Sequence, residues 1–177
     1  AEAALVRSQF VSGTHALAVA LLGVLRRGDE IISATGTPYD TMQTIIGYPV
    51  QTPGSLADIG VTYKELPMSG SKVAIKELQS LITPKTRMVL IQRSCGYSDV
   101  RKTLTIAEIG EICSAVKTVN SDCLCFVDNC YGEFIEKHEP TEVGADLIAG
   151  SLIKNLGGGI APTGGYIVGR GDLVELA

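Results

Sequence analysis

Four parts of this chain carry residue types that could together handle a carbonyl compound. Lys154 ends the apolar run "LIAGSLIK" and stands just before Asn155 and the glycines Gly157, Gly158 and Gly159. Burial in apolar surroundings disfavours an ammonium, so this lysine is expected to titrate low and to offer a neutral amine that attacks an aldehyde. The plain alternative is a lysine snorkelling at a strand end. Asp128 closes the apolar run "CLCFVD". A carboxylate there is costly unless it meets a cation or several donors. It could accept a hydrogen bond from a protonated ring nitrogen, hold a metal, or cap the strand-to-loop junction. Tyr39, in "TGTPYDT", could stack on a flat ring or merely pack a helix start. In "FVSGTHA", Ser12, Gly13 and Thr14 open an apolar helix. Such a start offers unpaired amides and a positive dipole end to a phosphate, or is an ordinary Ser N-cap.

Singly, each plain alternative holds. Jointly, the four parts match what pyridoxal 5'-phosphate requires. Its aldehyde needs a lysine, Lys154. Its pyridine nitrogen needs a carboxylate, Asp128. Its ring needs a face, Tyr39. Its phosphate needs amides and a hydroxyl, which Gly13, Thr14 and Ser151 could supply, the last through a Ser-x-x-Lys spacing.

Elements that could position these residues alternate along the chain. Helices are expected from about Gly13 to Leu25, from Pro38 to Gly47, from Lys72 to Ile82 and from Thr105 to Val119. The last opens with a Thr-x-x-Glu capping box, Thr105 to Glu108. Strands are expected over Asp29–Thr35, Val61–Pro67, Arg87–Ser94, Cys123–Asn129, Asp146–Leu152 and Gly165–Gly169. Several strands are continuous apolar runs, which implies cover on both faces. The expected architecture is α/β: a three-layer α/β/α arrangement around a mostly parallel sheet with right-handed crossovers. Ligands of such sheets bind beyond the carboxyl ends of the strands, which is where Tyr39, Asp128 and Lys154 fall. Gly47–Gly60 is the expected flexible loop.

The 177 residues suffice for one core, and the 45% hydrophobic content suggests apolar surface kept for a partner. A formal charge of −4 gives no nucleic-acid footprint, and no apolar run is long enough to span a bilayer. Five cysteines without a CxxC, beside two histidines, read as reduced thiols of an intracellular protein. The expected location is cytoplasmic or an organelle such as a plastid. The start without Met and the helix-like end "GDLVELA" suggest a fragment.

The sequence resembles the Cys/Met metabolism group of fold-type I pyridoxal phosphate enzymes. Within it, the chain is similar to the proteins called methionine gamma-lyase-like or aluminium resistance proteins. The resemblance rests on "RSQFVSGTHA", "GTPYDT", "FVDNCYGEF", "EPTEVGADL", "GSLIKN" and "GGGIAPTGGYI", which together cover nearly the whole chain. It implies a pyridoxal phosphate-dependent transferase-like large domain, lacking an N-terminal segment and a small C-terminal domain. It implies that Lys154 forms the Schiff base and shuttles the Cα proton, and that Asp128 pairs with the ring nitrogen. Tyr39 would stack, and Gly13, Thr14 and Ser151 would hold the phosphate. The implied activity is carbon–sulfur lysis of a sulfur-containing amino acid by a homodimer or homotetramer. Two departures stand out. Ile153 precedes the lysine where the group usually has Thr, and "RSCGYSDVRKTL" carries Cys95 and Asp99 in place of more basic or aromatic character.

Two other readings compete. A nucleotide-binding Rossmann-like enzyme would need a GxGxxG motif that the chain lacks. A catalytically silent fragment or assembly module would keep the fold without the chemistry, and a different pyridoxal phosphate reaction is compatible with the same residues.

Overall fold

The computed structural model describes residues 1–67, 72–96 and 101–177. Seven strands form one sheet: β1 (Ala3–Arg7), β2 (Glu30–Ser33), β3 (Thr62–Glu65), β4 (Thr86–Gln92), β5 (Leu124–Asp128), β6 (Leu147–Ser151) and β7 (Gly165–Gly169). Their order is β1-β7-β6-β5-β4-β2-β3. The block from β3 to β6 is parallel, whereas β7 runs antiparallel to both β6 and β1.

Five helices cover the sheet: α1 (Gly13–Val24), α2 (Asp40–Ile46), α3 (Ile75–Leu81), α4 (Ile106–Val119) and α5 (Gly171–Leu176). Alternation along the strands divides the core. Met88 and Leu90 of β4, with Leu124 and Phe126 of β5, face α1, α2 and α5. Val89 and Ile91, with Cys125 and Val127, face α3 and α4. Each large side chain fully buried this way contributes about 1.5–3 kcal/mol, so the strands read as apolar runs because both faces are filled. This is the three-layer α/β/α architecture that the sequence implies.

The helix ends follow from local chemistry. Ser12 caps α1, its hydroxyl accepting from the His15 amide at 3.1 Å. Thr105 and Glu108 form the capping box that opens α4. The second helix differs from expectation. Pro38 lies outside it and the extended Tyr39 is its N-cap, so the helix begins at Asp40. The expected flexible loop is anchored in its second half: Leu56 is fully buried, and its amide donates to the Ile45 carbonyl at 2.9 Å.

One strand escaped the sequence reading. β1 pairs with β7 from Ala3↔Gly169 to Arg7↔Gly165. Only one of its faces meets the core, and its five residues show neither a long apolar run nor clear alternation. Among the described residues, no helix is long and apolar enough to cross a membrane, and all five cysteines are free thiols.

Candidate functional site

The carboxyl ends of β4, β5 and β6 open onto a cavity of about 530 Å³. Gly13, Thr14, Tyr39, Asp128, Ser151 and Lys154 all line it, although they come from four separate stretches of chain. The parallel register explains the convergence. Gln92, the last residue of β4, pairs with Asp128, the last of β5, and Asp128 pairs with Ala149 of β6.

The amino end of α1 forms one wall. Gly13 and Thr14 are its first residues, so their amides have no intrahelical carbonyl to meet. A side chain cannot replace the Gly13 hydrogen without movement: a Cβ there would stand 3.0 Å from Ser151 Cβ and 3.1 Å from Cys130 Sγ. Ser151 is buried, and its Oγ accepts from the Ile153 amide at 3.2 Å, which leaves the hydroxyl hydrogen to donate elsewhere. Thr14 Oγ1 and the Tyr39 hydroxyl share a hydrogen bond of 3.0 Å, which ties the helix start to the aromatic wall. Burial pushes the Tyr39 hydroxyl well above the ordinary tyrosine value, and the nearby Asp128 charge adds to the effect.

Asp128 lies on the floor. It is buried, and its Oδ1 accepts from the Cys130 amide at 3.1 Å. Burial raises its pKa, while the Cys130 amide and thiol and the Lys154 charge act against the rise without cancelling it. No salt bridge neutralises it among the described residues. The Cys130 thiol is itself pushed up to about 12, chiefly by burial and then by the Asp128 charge.

Lys154 does not sit at a strand end. β6 stops at Ser151, and the lysine lies in a π-helical turn, Leu152–Leu156, with a non-helical φ of −98° and ψ of −131°. Its ammonium lies 4.2 Å from the centre of the Tyr131 ring. The expectation of a low titration point is corrected here. Burial does pull the amine down, but contact with Cys130, then the Tyr131 and Asp128 charges, outweighs it and leaves the pKa above the ordinary lysine value. Because Cys130 is a neutral thiol near pH 7, Asp128 is the acidic group that can carry charge beside the ammonium there. The glycines that follow serve the turn itself. Cβ atoms at Gly157 and Gly158 would come within 2.6 Å of the Leu152 carbonyl oxygen and 2.7 Å of the Lys154 carbonyl oxygen.

Sequence reasoning passed over Gln92, Ser94, Cys130 and Tyr131, which also line the cavity. Gln92 and Ser94 carry a readable signal, since they end or follow β4 on the same edge. Cys130 and Tyr131 follow Asp128 directly, but their direction depends on a left-handed turn that propensity does not reveal. Cys95 borders the cavity, Ile153 is half exposed at its rim, and Asp99 lies outside the described residues.

The donor set fits pyridoxal phosphate: a cradle without a Cβ at Gly13, a hydroxyl with a free hydrogen at Ser151, a buried carboxylate with no salt bridge among the described residues, and an amine beside it. The family model described as methionine gamma-lyase matches residues 1–177.

The chain belongs to the methionine gamma-lyase family.

Within the family, it is 49% identical over 176 residues to the uncharacterized protein YnbB of Bacillus subtilis, covering 98% of this chain and 42% of that protein. It is 28% identical over 167 residues to an L-methionine gamma-lyase of Pseudomonas deceptionensis, covering 94% of this chain and 37% of that enzyme. A solved carbon-sulfur lyase involved in aluminum resistance, from Clostridium novyi, superposes with a TM-score of 0.93 at 48% identity, covering 99% of this chain and 42% of that one. The pyridoxal-5'-phosphate dependent protein YhfS of Escherichia coli shares the fold, with a TM-score of 0.74 at 17% identity, over 99% of this chain and 42% of that one. The chain thus spans less than half the length of these relatives.

Proposed function

We propose that this chain is the cofactor-holding large domain of a pyridoxal phosphate-dependent carbon–sulfur lyase acting on a sulfur-containing amino acid. The observation that carries the reading is the meeting of Lys154, Asp128 and the amino end of α1 around one cavity. Pyridoxal phosphate, when bound, supplies an electron sink for negative charge at the substrate α-carbon. The protein's own residues do the rest. Gly13 and Thr14 offer amides, and Ser151 a hydroxyl, to the phosphate. Asp128 would accept a hydrogen bond from the ring nitrogen, which would give its carboxylate the salt bridge it lacks among the described side chains. Tyr39 supplies a face for the ring. Lys154 would hold the cofactor covalently, and its amine would take and return the proton at the substrate α-carbon.

Exposed apolar side chains support the proposal of a homo-oligomer. Ile153 and Tyr131 at the rim, and Phe134, Ile135 and Ile160 beyond it, present large apolar surface to solvent. A second copy would cover it.

The test is an absorbance spectrum of the protein with added pyridoxal phosphate, before and after borohydride, with Lys154→Ala as the control. The reading predicts a visible band in the parent that borohydride makes covalent and that the variant lacks. A band of equal strength in the variant contradicts the role of Lys154. Turnover of sulfur amino acids with release of a thiol then tests the substrate class.

A further inference from the structure

The turn after β5 holds a second observation about Lys154. Tyr131 adopts φ 67°, in the left-handed region that suits glycine and disfavours a bulky side chain. Strain of this kind persists where the surroundings over-determine it, and it points to function when packing gives no account of it. Packing within the chain gives none here: Tyr131 is 58% exposed. The buried Arg93 holds the turn at residues on either side of it. One guanidinium nitrogen donates to Asn129 Oδ1 at 2.9 Å and to the Gly132 carbonyl at 2.8 Å. A glycine at position 131 would satisfy this turn without strain. The ring's distinguishing contact is with the Lys154 ammonium, 4.2 Å from its centre.

We propose that Tyr131 is a positioning residue for Lys154: the strained turn holds its ring out at the cavity mouth, where the ring face receives the ammonium and steadies the lysine in its charged form. The attraction of a cation to an aromatic face needs the ring and not the hydroxyl. The same loop reinforces the placement, because the Glu133 carbonyl accepts from Asn155 Nδ2 at 2.9 Å and pins the residue next to the lysine. The titratable groups that face Lys154 are Cys130, Tyr131, Asp128 and, more weakly, Glu133. The assignment rests on Lys154 being the cofactor-attaching amine, but the contact with Tyr131 exists without the cofactor and can be measured without it.

The experiment follows reductive methylation of Lys154 against pH in cofactor-free protein, read by peptide mass spectrometry, which reports the neutral amine. A ring–ammonium contact favours the charged form, so removing the ring lowers the midpoint. Y131L and Y131G are expected to shift it down by about half a pH unit, and Y131F, which keeps the ring face and loses only the phenol, to shift it less. Y131G, which relieves the left-handed strain, is expected to unfold at no lower temperature than the parent. An unmoved midpoint in Y131L and Y131G overturns the proposal, as does a shift in Y131F equal to that in Y131L. Borohydride labelling with pyridoxal phosphate is run in parallel. Label on a lysine other than Lys154 defeats the cofactor reading and leaves the ring contact to be judged by the methylation midpoint alone.

Discussion

The two ends of the sheet treat buried carboxylates in opposite ways. At the amino end, Glu30 begins β2 and is enclosed by donors: Lys64 at 2.6 Å, Thr86 Oγ1 at 2.6 Å and Thr83 Oγ1 at 3.1 Å. Burial pushes Glu30 up, but these partners outweigh it and hold the carboxyl below the ordinary glutamate value. Asp146, just before β6, is likewise met by Lys117 at 2.9 Å and the Cys125 amide at 2.8 Å. At the carboxyl end, Asp128 has an amide, a thiol and the field of Lys154, and its pKa stays raised. A carboxylate satisfied by the protein stabilises the fold. One left short of partners is available to a ligand that brings the missing cation, and the fold carries the cost until that ligand arrives.

The comparison can be broken at several points. The largest expected effect is at the amino end. Glu30→Ala strands Thr83, Thr86 and Lys64 and should cost about 3 kcal/mol, a fall of roughly 6–12 °C in Tm, with no change in pyridoxal phosphate binding. Thermal unfolding beside cofactor titration checks both halves. At the carboxyl end, Gly13→Ala should do the reverse. Its Cβ intrudes between Ser151 and Cys130, so cofactor affinity should fall about tenfold or more, roughly 1.4 kcal/mol, while Tm falls less than in Glu30→Ala.

Asp128→Asn should weaken cofactor binding and yet stabilise the cofactor-free protein, because it removes a buried, poorly paired charge. A relief of about 1 kcal/mol corresponds to roughly 2–4 °C. Calorimetry of the cofactor-free variant at neutral pH measures it, and a lower Tm would show that Asp128 is a structural carboxylate like Glu30. The smallest effect is in pH dependence. With its folded pKa lowered, Glu30 contributes stability above the ordinary glutamate value that is lost as pH falls towards the lowered one. With its folded pKa raised, Asp128 binds its proton more tightly when folded. Stability therefore falls as pH rises from the ordinary aspartate value through the raised one. Asp128→Asn should remove that fall and Glu30→Gln should flatten the acid side, both visible in denaturant midpoints across pH.

What could be read from sequence follows the same division between local and tertiary causes. The capping box at Thr105 and the cap at Ser12 involve neighbours in sequence, so their residue types declare them. The doubly covered strands declare themselves because both core faces must be apolar. The convergence of Gly13, Tyr39, Asp128 and Lys154 was legible because parallel strands bring their carboxyl ends to one edge. The titration of Lys154 was not. Apolar neighbours in sequence suggested a depressed amine, whereas the groups that decide it, Cys130, Tyr131 and Asp128, arrive from another strand's turn. The left-handed Tyr131 was equally hidden, since a tyrosine's residue type does not declare a positive φ. Strand β1 could not be seen because its partner lies more than 150 residues away.

The central claim is that the carboxyl edge holds pyridoxal phosphate through one lysine. The most direct measurement is a peptide map of the protein after incubation with limiting pyridoxal phosphate and borohydride. The account predicts a single major modified peptide, with the pyridoxyl group on Lys154, and its loss in Gly13→Ala at the same cofactor concentration. Label spread over surface lysines, or concentrated on one far from the cavity, would contradict it.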